Sequence, residues 1–205
     1  MTAGATSSHP PRYGRLLRLG GAEGNEILTC AVAVVLTVLL ALEGVTVVHM
    51  AGLVSAHMFI GMVLIPPVAL KLCSTGYRFV RYYTRARTYR ALGPPRPLLR
   101  VLAPALVAST IAIFVTGVLL LAGGRKTNIL LELHKLSFIV FGVLFGVHFL
   151  AYLPRVARSL RRDWRSAGRE AVPGAGVRAM LVALAVGGGA VLAFALLHAI
   201  NNWRA

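Results

Sequence analysis

Five apolar runs dictate what this chain can become. They lie at about 27–48, 53–75, 101–122, 129–153 and 179–199, and roughly 20 apolar residues suffice for a helix to span the hydrocarbon core of a bilayer. The chain has 205 residues, of which 57% are hydrophobic and only 14% charged, with a mean hydropathy of +0.74. A soluble domain has no way to hide that much apolar surface, so the expected class is an all-α integral membrane protein.

The charges sit between the runs. Arg12, Arg15 and Arg18 precede the first. Arg78, Arg81, Arg85, Arg87, Arg90, Arg96 and Arg100 separate the second from the third. Arg155, Arg158, Arg161, Arg162, Arg165, Arg169 and Arg178 separate the fourth from the fifth. With five spans, these three segments share one side, and the other side holds only Arg125, Lys126, Lys135 and Arg204. The positive-inside rule then predicts a multi-pass protein of the cell membrane, N-terminus cytoplasmic and C-terminus external. This explains the net charge of +16 as topology and attraction to anionic lipid headgroups, and argues against nucleic acid as a partner.

The expected organisation is a flexible cytoplasmic leader at 1–26, a four-helix bundle at 27–153, a basic cytoplasmic loop at 154–178, and a fifth span with a short external tail at 179–205. The first run is too long for a signal-peptide core and is read as a retained span. Tyr77, Tyr82, Tyr83, Trp164 and Trp203 fall at span ends, where interfacial aromatics belong. Pro66-Pro67 inside the second span predicts a kink. Cys30 and Cys73 form no metal-ligand spacing and read as reduced thiols.

The first two spans resemble the next two. EGVTVVHMAGLVSAHMFIGMVLIPPVALK begins at Glu43, and TGVLLLAGGRKTNILLELHKLSFIVFGVLFGVH begins at Thr116. Each copy has a glycine late in its first helix (Gly44, Gly117), a short turn, and a histidine early in its second helix (His57, His134). The two histidines therefore lie at the same depth on helices that run in the same direction.

In the segment LHKLSFIVFGVLFGVHF, His134 and His148 are fourteen residues apart. That interval rises about 21 Å and turns about 3.9 times on a helix, so both point to nearly one face, at different levels. Ionisable groups inside spans are costly and default to a functional reading. Imidazole is a common axial ligand of haem, and helix bundles build cofactor sites from facing helices. His57 supplies the partner for His134 at the outer level. At the inner level the residue fourteen positions after His57 is Lys71, so His148 faces a lysine. Lys71 has three readings: a side chain snorkelling to the interface, a partner for a haem propionate, or an iron ligand in its neutral form. Lys135, Arg125 and Lys126 are either propionate partners or ordinary interfacial cations. Glu43 is an acceptor for a ligand ring N–H, a proton carrier at a quinol site, or a plain interface carboxylate. Gly61, Gly142 and Gly146 either clear space for a porphyrin or allow close helix packing. His49 and His198 stand at span ends, and His9 in the leader.

The pattern HMFIG in the second span and LHKLSF with GVHF in the fourth resembles the bacterial di-haem transmembrane b-type cytochromes, the membrane subunits of formate dehydrogenases, nickel–iron hydrogenases and molybdopterin oxidoreductases. The resemblance covers roughly residues 27–153 and implies a four-helix cytochrome b-type bundle, here with a fifth helix. It further implies haem b held through His57, His134 and His148, electron transfer, and a quinone or a redox protein as partner. The chain departs from the family at the fourth ligand position, where Lys71 stands, and this puts the inner haem in doubt. Two other readings compete: a cofactor-free transporter or assembly factor, and a membrane enzyme with a histidine-bound non-haem metal. No catalytic nucleophile, phosphate-binding loop or CxxC cluster is present.

Overall fold

The computed structural model describes residues 20–84, 89, 97–124, 128–165 and 172–203. Most of the leader, the Arg85, Arg87, Arg90 and Arg96 stretch, the turn residues Arg125 and Lys126, and Arg169 and Arg204 lie outside them. The described residues form helices without strands: α1 (Gly21–Val48), α2 (Met50–Tyr83), α3 (Pro97–Gly123), α4 (Asn128–Arg165), α5 (Ala175–Ala195) and a short α6 (Leu197–Asn202).

The first five are long and apolar enough to cross a membrane. In their most apolar stretches between 0% and 22% of the residues are buried within the chain. The apolar side chains therefore face outward, as they do when lipid is the solvent.

Two ends of the molecule can be told apart. The turn end carries the α1–α2 and α3–α4 turns and the C-terminal α6. The loop end carries the starts of α1, α3 and α5. The α1–α2 turn is tight: His49 separates the helices, its carbonyl accepts the N–H of both Gly52 and Leu53 at 3.1 Å, and Leu53 departs from helical angles (φ −116°, ψ 19°). The second span proper thus starts where its apolar run starts. Helix boundaries otherwise exceed the apolar runs, because a helix need not stop where hydrocarbon does. Residues 21–26, expected in the leader, form the opening of α1. Helix α4 continues to Arg165, so the expected loop at 154–178 begins as helix.

Packing pairs α1 with α2 and α3 with α4, while α5 lies against α2. The last contact answers two sequence features at once. Helix α2 runs on through Pro66 and Pro67, and its non-helical residue is Leu53, so the prolines do not interrupt the helix. Pro67 has no N–H to give the carbonyl of Val63 four residues earlier. Gly189 of α5 lies directly against that carbonyl, so close that any Cβ there would collide with it. Pro67 is among the most deeply buried residues, and the rings of Phe59 and Phe194 meet edge to face with centroids 5.2 Å apart. At the turn end, the Trp203 indole N–H donates to the Leu120 carbonyl at 2.8 Å, tying the C-terminal segment to α3. At the loop end, the buried Arg178 donates to the carbonyls of Pro173 at 2.8 Å and Val172 at 3.1 Å. Gly20, at φ 76°, fits into the same corner. That left-handed backbone suits glycine.

Candidate functional site

Helices α2 and α4, which carry the level-matched histidines, each pack mainly on another helix and hardly touch through their backbones. Their side chains do approach. The rings of His57 and His134 meet edge to face, with centroids 6.3 Å apart and planes at 75°. Each ring is held by the preceding helix of its own hairpin.

On α1, Glu43 Oε1 lies 2.9 Å from His57 Nδ1. The pair is largely withdrawn from solvent, with side-chain exposures of 21% for His57 and 14% for Glu43. Thr46, itself buried, donates its hydroxyl to the Glu43 carbonyl at 2.7 Å and lies 3.1 Å from Glu43 Oε2. It also stands 3.3 Å from His57 Nδ1. On α3, Thr116 Oγ1 lies 2.9 Å from His134 Nδ1. The single proton of that hydroxyl goes back to its own helix, to Ala112 O at 2.7 Å with Ile113 O at 3.1 Å. Thr116 therefore accepts from the ring, and the Ile113 carbonyl is a second acceptor beside it.

These roles fix the tautomer. A carboxylate and an already committed hydroxyl both accept, so Nδ1 carries the proton in each neutral imidazole. Nε2 is then the nitrogen with the lone pair. This is how metal-binding histidines are prepared: one nitrogen is tied to an acceptor and the other is left basic. Glu43 and Thr116 are also the first residues of the two repeat copies. Each stands immediately before its glycine. Gly117 is needed for the approach, since a Cβ there would come within 3.2 Å of His134 Cε1. On the other side, a Cβ at Gly61 would sit 3.7 Å from Glu43 Oε1.

The spacing suits one metal between the rings. Two imidazoles bound through Nε2 at about 2 Å each have centroids roughly 6 Å apart, because each centroid lies about 1 Å behind its nitrogen. Among the described residues, no group of three or more His, Cys, Asp or Glu converges that would hold a bare ion. A ligand set of two imidazoles fits a haem iron, whose macrocycle supplies the other donors.

The loop end is different. Lys71 Nζ donates to the Thr29 carbonyl of α1 at 2.7 Å. Around it, Asn25 donates to Ser74 O at 3.1 Å, Thr29 donates to Asn25 O at 2.7 Å, and Ser74 donates to Lys71 O at 3.1 Å. The lysine thus belongs to a polar clasp between α1 and α2, although it remains in electrostatic range of His148. His148 packs on Tyr152, ring centroids 4.6 Å apart, and its Nδ1 is buried with no hydrogen-bond partner among the described residues.

The remaining candidates are placed as follows. Lys135 pairs with Glu132 at 2.8 Å, both exposed. His49 Nδ1 stands 3.1 Å from Val45 O, and His198 contacts Asn202. A Cβ at Gly142 or Gly146 would meet nothing within 4 Å, so neither serves helix packing within the chain. Cys30 and Cys73 are not in a disulfide. Sequence reasoning did not single out Thr46 or Thr116; for Thr116 the signal was its place as the first residue of the second repeat copy, the position Glu43 holds in the first.

No protein-family model, curated protein or solved structure matches this chain. Its function therefore has to be argued from the site.

Proposed function

We propose that this protein is a transmembrane b-type cytochrome that holds one haem between His57 and His134 and exchanges single electrons at the turn end of its bundle. The observation that carries this reading is the close imidazole pair, each ring anchored through Nδ1, with centroids 6.3 Å apart. A haem bound there supplies reversible one-electron chemistry at iron. The residues of the chain provide axial ligation, orientation of the rings, and an apolar surround that excludes water. Helices α1–α4 form the haem-bearing bundle, and α5 braces α2 from outside. The N-terminus and the arginine-rich connections lie in the cytoplasm, following the charge asymmetry. A quinone or a redox protein docking at the opposite face serves as electron partner. Lys71 and His148 are left without a haem in this reading, because the lysine is engaged with α1.

The test is an optical spectrum of the protein purified from haem-replete cells, before and after dithionite, with haem counted as its pyridine complex. The expected result is a low-spin bis-histidine spectrum and one haem per chain. Protein with no haem band overturns the proposal, and two haems per chain reinstate the His148 level.

A further inference from the structure

The two axial histidines are anchored by chemically different groups. His57 donates to a carboxylate, Glu43, whose other oxygen lies 3.1 Å from the Thr46 hydroxyl. At the equivalent position of the second repeat copy, His134 meets a neutral hydroxyl, Thr116, beside the neutral Ile113 carbonyl, and no carboxylate. Hydrogen-bonding a ligand imidazole to an anion makes that ligand more basic, whereas a hydroxyl does so weakly. Ferric haem carries one more positive charge than ferrous haem. A more basic ligand and a nearby negative charge therefore favour the ferric state. The surroundings amplify this, because the carboxylate is 14% exposed and charge interactions are poorly screened away from water.

Resting on the haem reading above, the geometry points to Glu43 as the residue that sets the midpoint potential of the haem and holds it low, with His57 as the electron-rich ligand and His134 as the ordinary one. The couple concerned is one-electron reduction of ferric to ferrous iron, with no bond formed or broken. Glu43 acts through His57 and is a positioning residue. Its structural contribution, fixing ring orientation, is separable from its electrostatic one by the isosteric amide.

The experiment is potentiometric titration of the purified holoprotein with dithionite as reductant, for the native chain, Glu43→Gln, Glu43→Asp and Thr116→Val. The expected result is an upward shift for Glu43→Gln with the bis-histidine spectrum retained, a smaller shift for Thr116→Val, and a potential nearer the native value for Glu43→Asp. An unchanged or lowered potential in haem-loaded Glu43→Gln overturns the inference and leaves the haem reading standing. Should Glu43→Gln lose its haem, the near-infrared charge-transfer band of the native ferric protein decides. A position displaced towards that of an imidazolate-ligated haem supports the inference, and the position of an ordinary bis-imidazole haem overturns it. A native protein without haem overturns both readings together.

Discussion

The two ends of the bundle hold the same kinds of residue and do opposite things with them. At the turn end, polar groups on α1 and α3 are directed at the rings of the next helix: Glu43 and Thr46 at His57, Thr116 at His134. At the loop end, the polar groups of α1 and α2 satisfy one another. Asn25, Thr29, Ser74 and Lys71 close a clasp, and His148 stays outside it. Polar residues in a span thus stand for two designs. A site has its groups converging on atoms that remain basic, whereas a fastener has its donors and acceptors used up between two helices.

Four experiments break or sharpen this contrast. Replacing His57 or His134 with Ala removes one of the two proposed haem ligands and should abolish the low-spin spectrum, whereas His148→Ala should leave it; equal losses from all three would erase the distinction between the ends. Thr116→Val keeps the size of the side chain and removes the acceptor for His134. Partners of ligating histidines typically matter by about 10–100-fold in affinity, so haem retention during competition with apomyoglobin should fall by about that range. Gly117→Ala brings a methyl group to 3.2 Å from His134 Cε1 and asks the ring to give by a few tenths of an ångström. A smaller loss of haem is expected, visible as a broadened or shifted Soret band. Smallest of all, Lys71→Met should leave the turn-end spectrum and its potential unchanged. Its effect belongs to the α1–α2 clasp: the lost bond to Thr29 O costs about 1 kcal/mol, measurable as lower thermal stability in detergent.

Much of this was legible in the sequence. Apolar runs led to five helices long and apolar enough to span, in the places expected, because hydropathy alone decides which segments leave water. The depth match of His57 and His134 followed from a helix rise of about 1.5 Å per residue. What sequence could not supply was lateral: which neighbour a side chain meets across a helix gap. Glu43 had three open readings, and only the 2.9 Å approach to His57 separates them. Lys71 likewise sits at the register of a ligand, yet its amine is bonded to α1, since a long flexible side chain follows the nearest acceptor rather than its register. The proline pair in α2 lies within a continuous helix, and the neighbouring α5 offers a glycine at the carbonyl that Pro67 cannot serve.

That glycine has a consequence for how the protein is made. Spans enter a membrane in order, and α5 follows the other four. Until it arrives, the Val63 carbonyl faces hydrocarbon without the N–H that a residue other than proline would have provided, an exposure that lipid penalises. The first four helices are therefore a provisional structure during biosynthesis, with one sticky carbonyl on the outside of α2. Arrival of α5 is the step that covers this carbonyl, since Gly189 lies directly against it, and a chain stopped short of Ala175 leaves it bare.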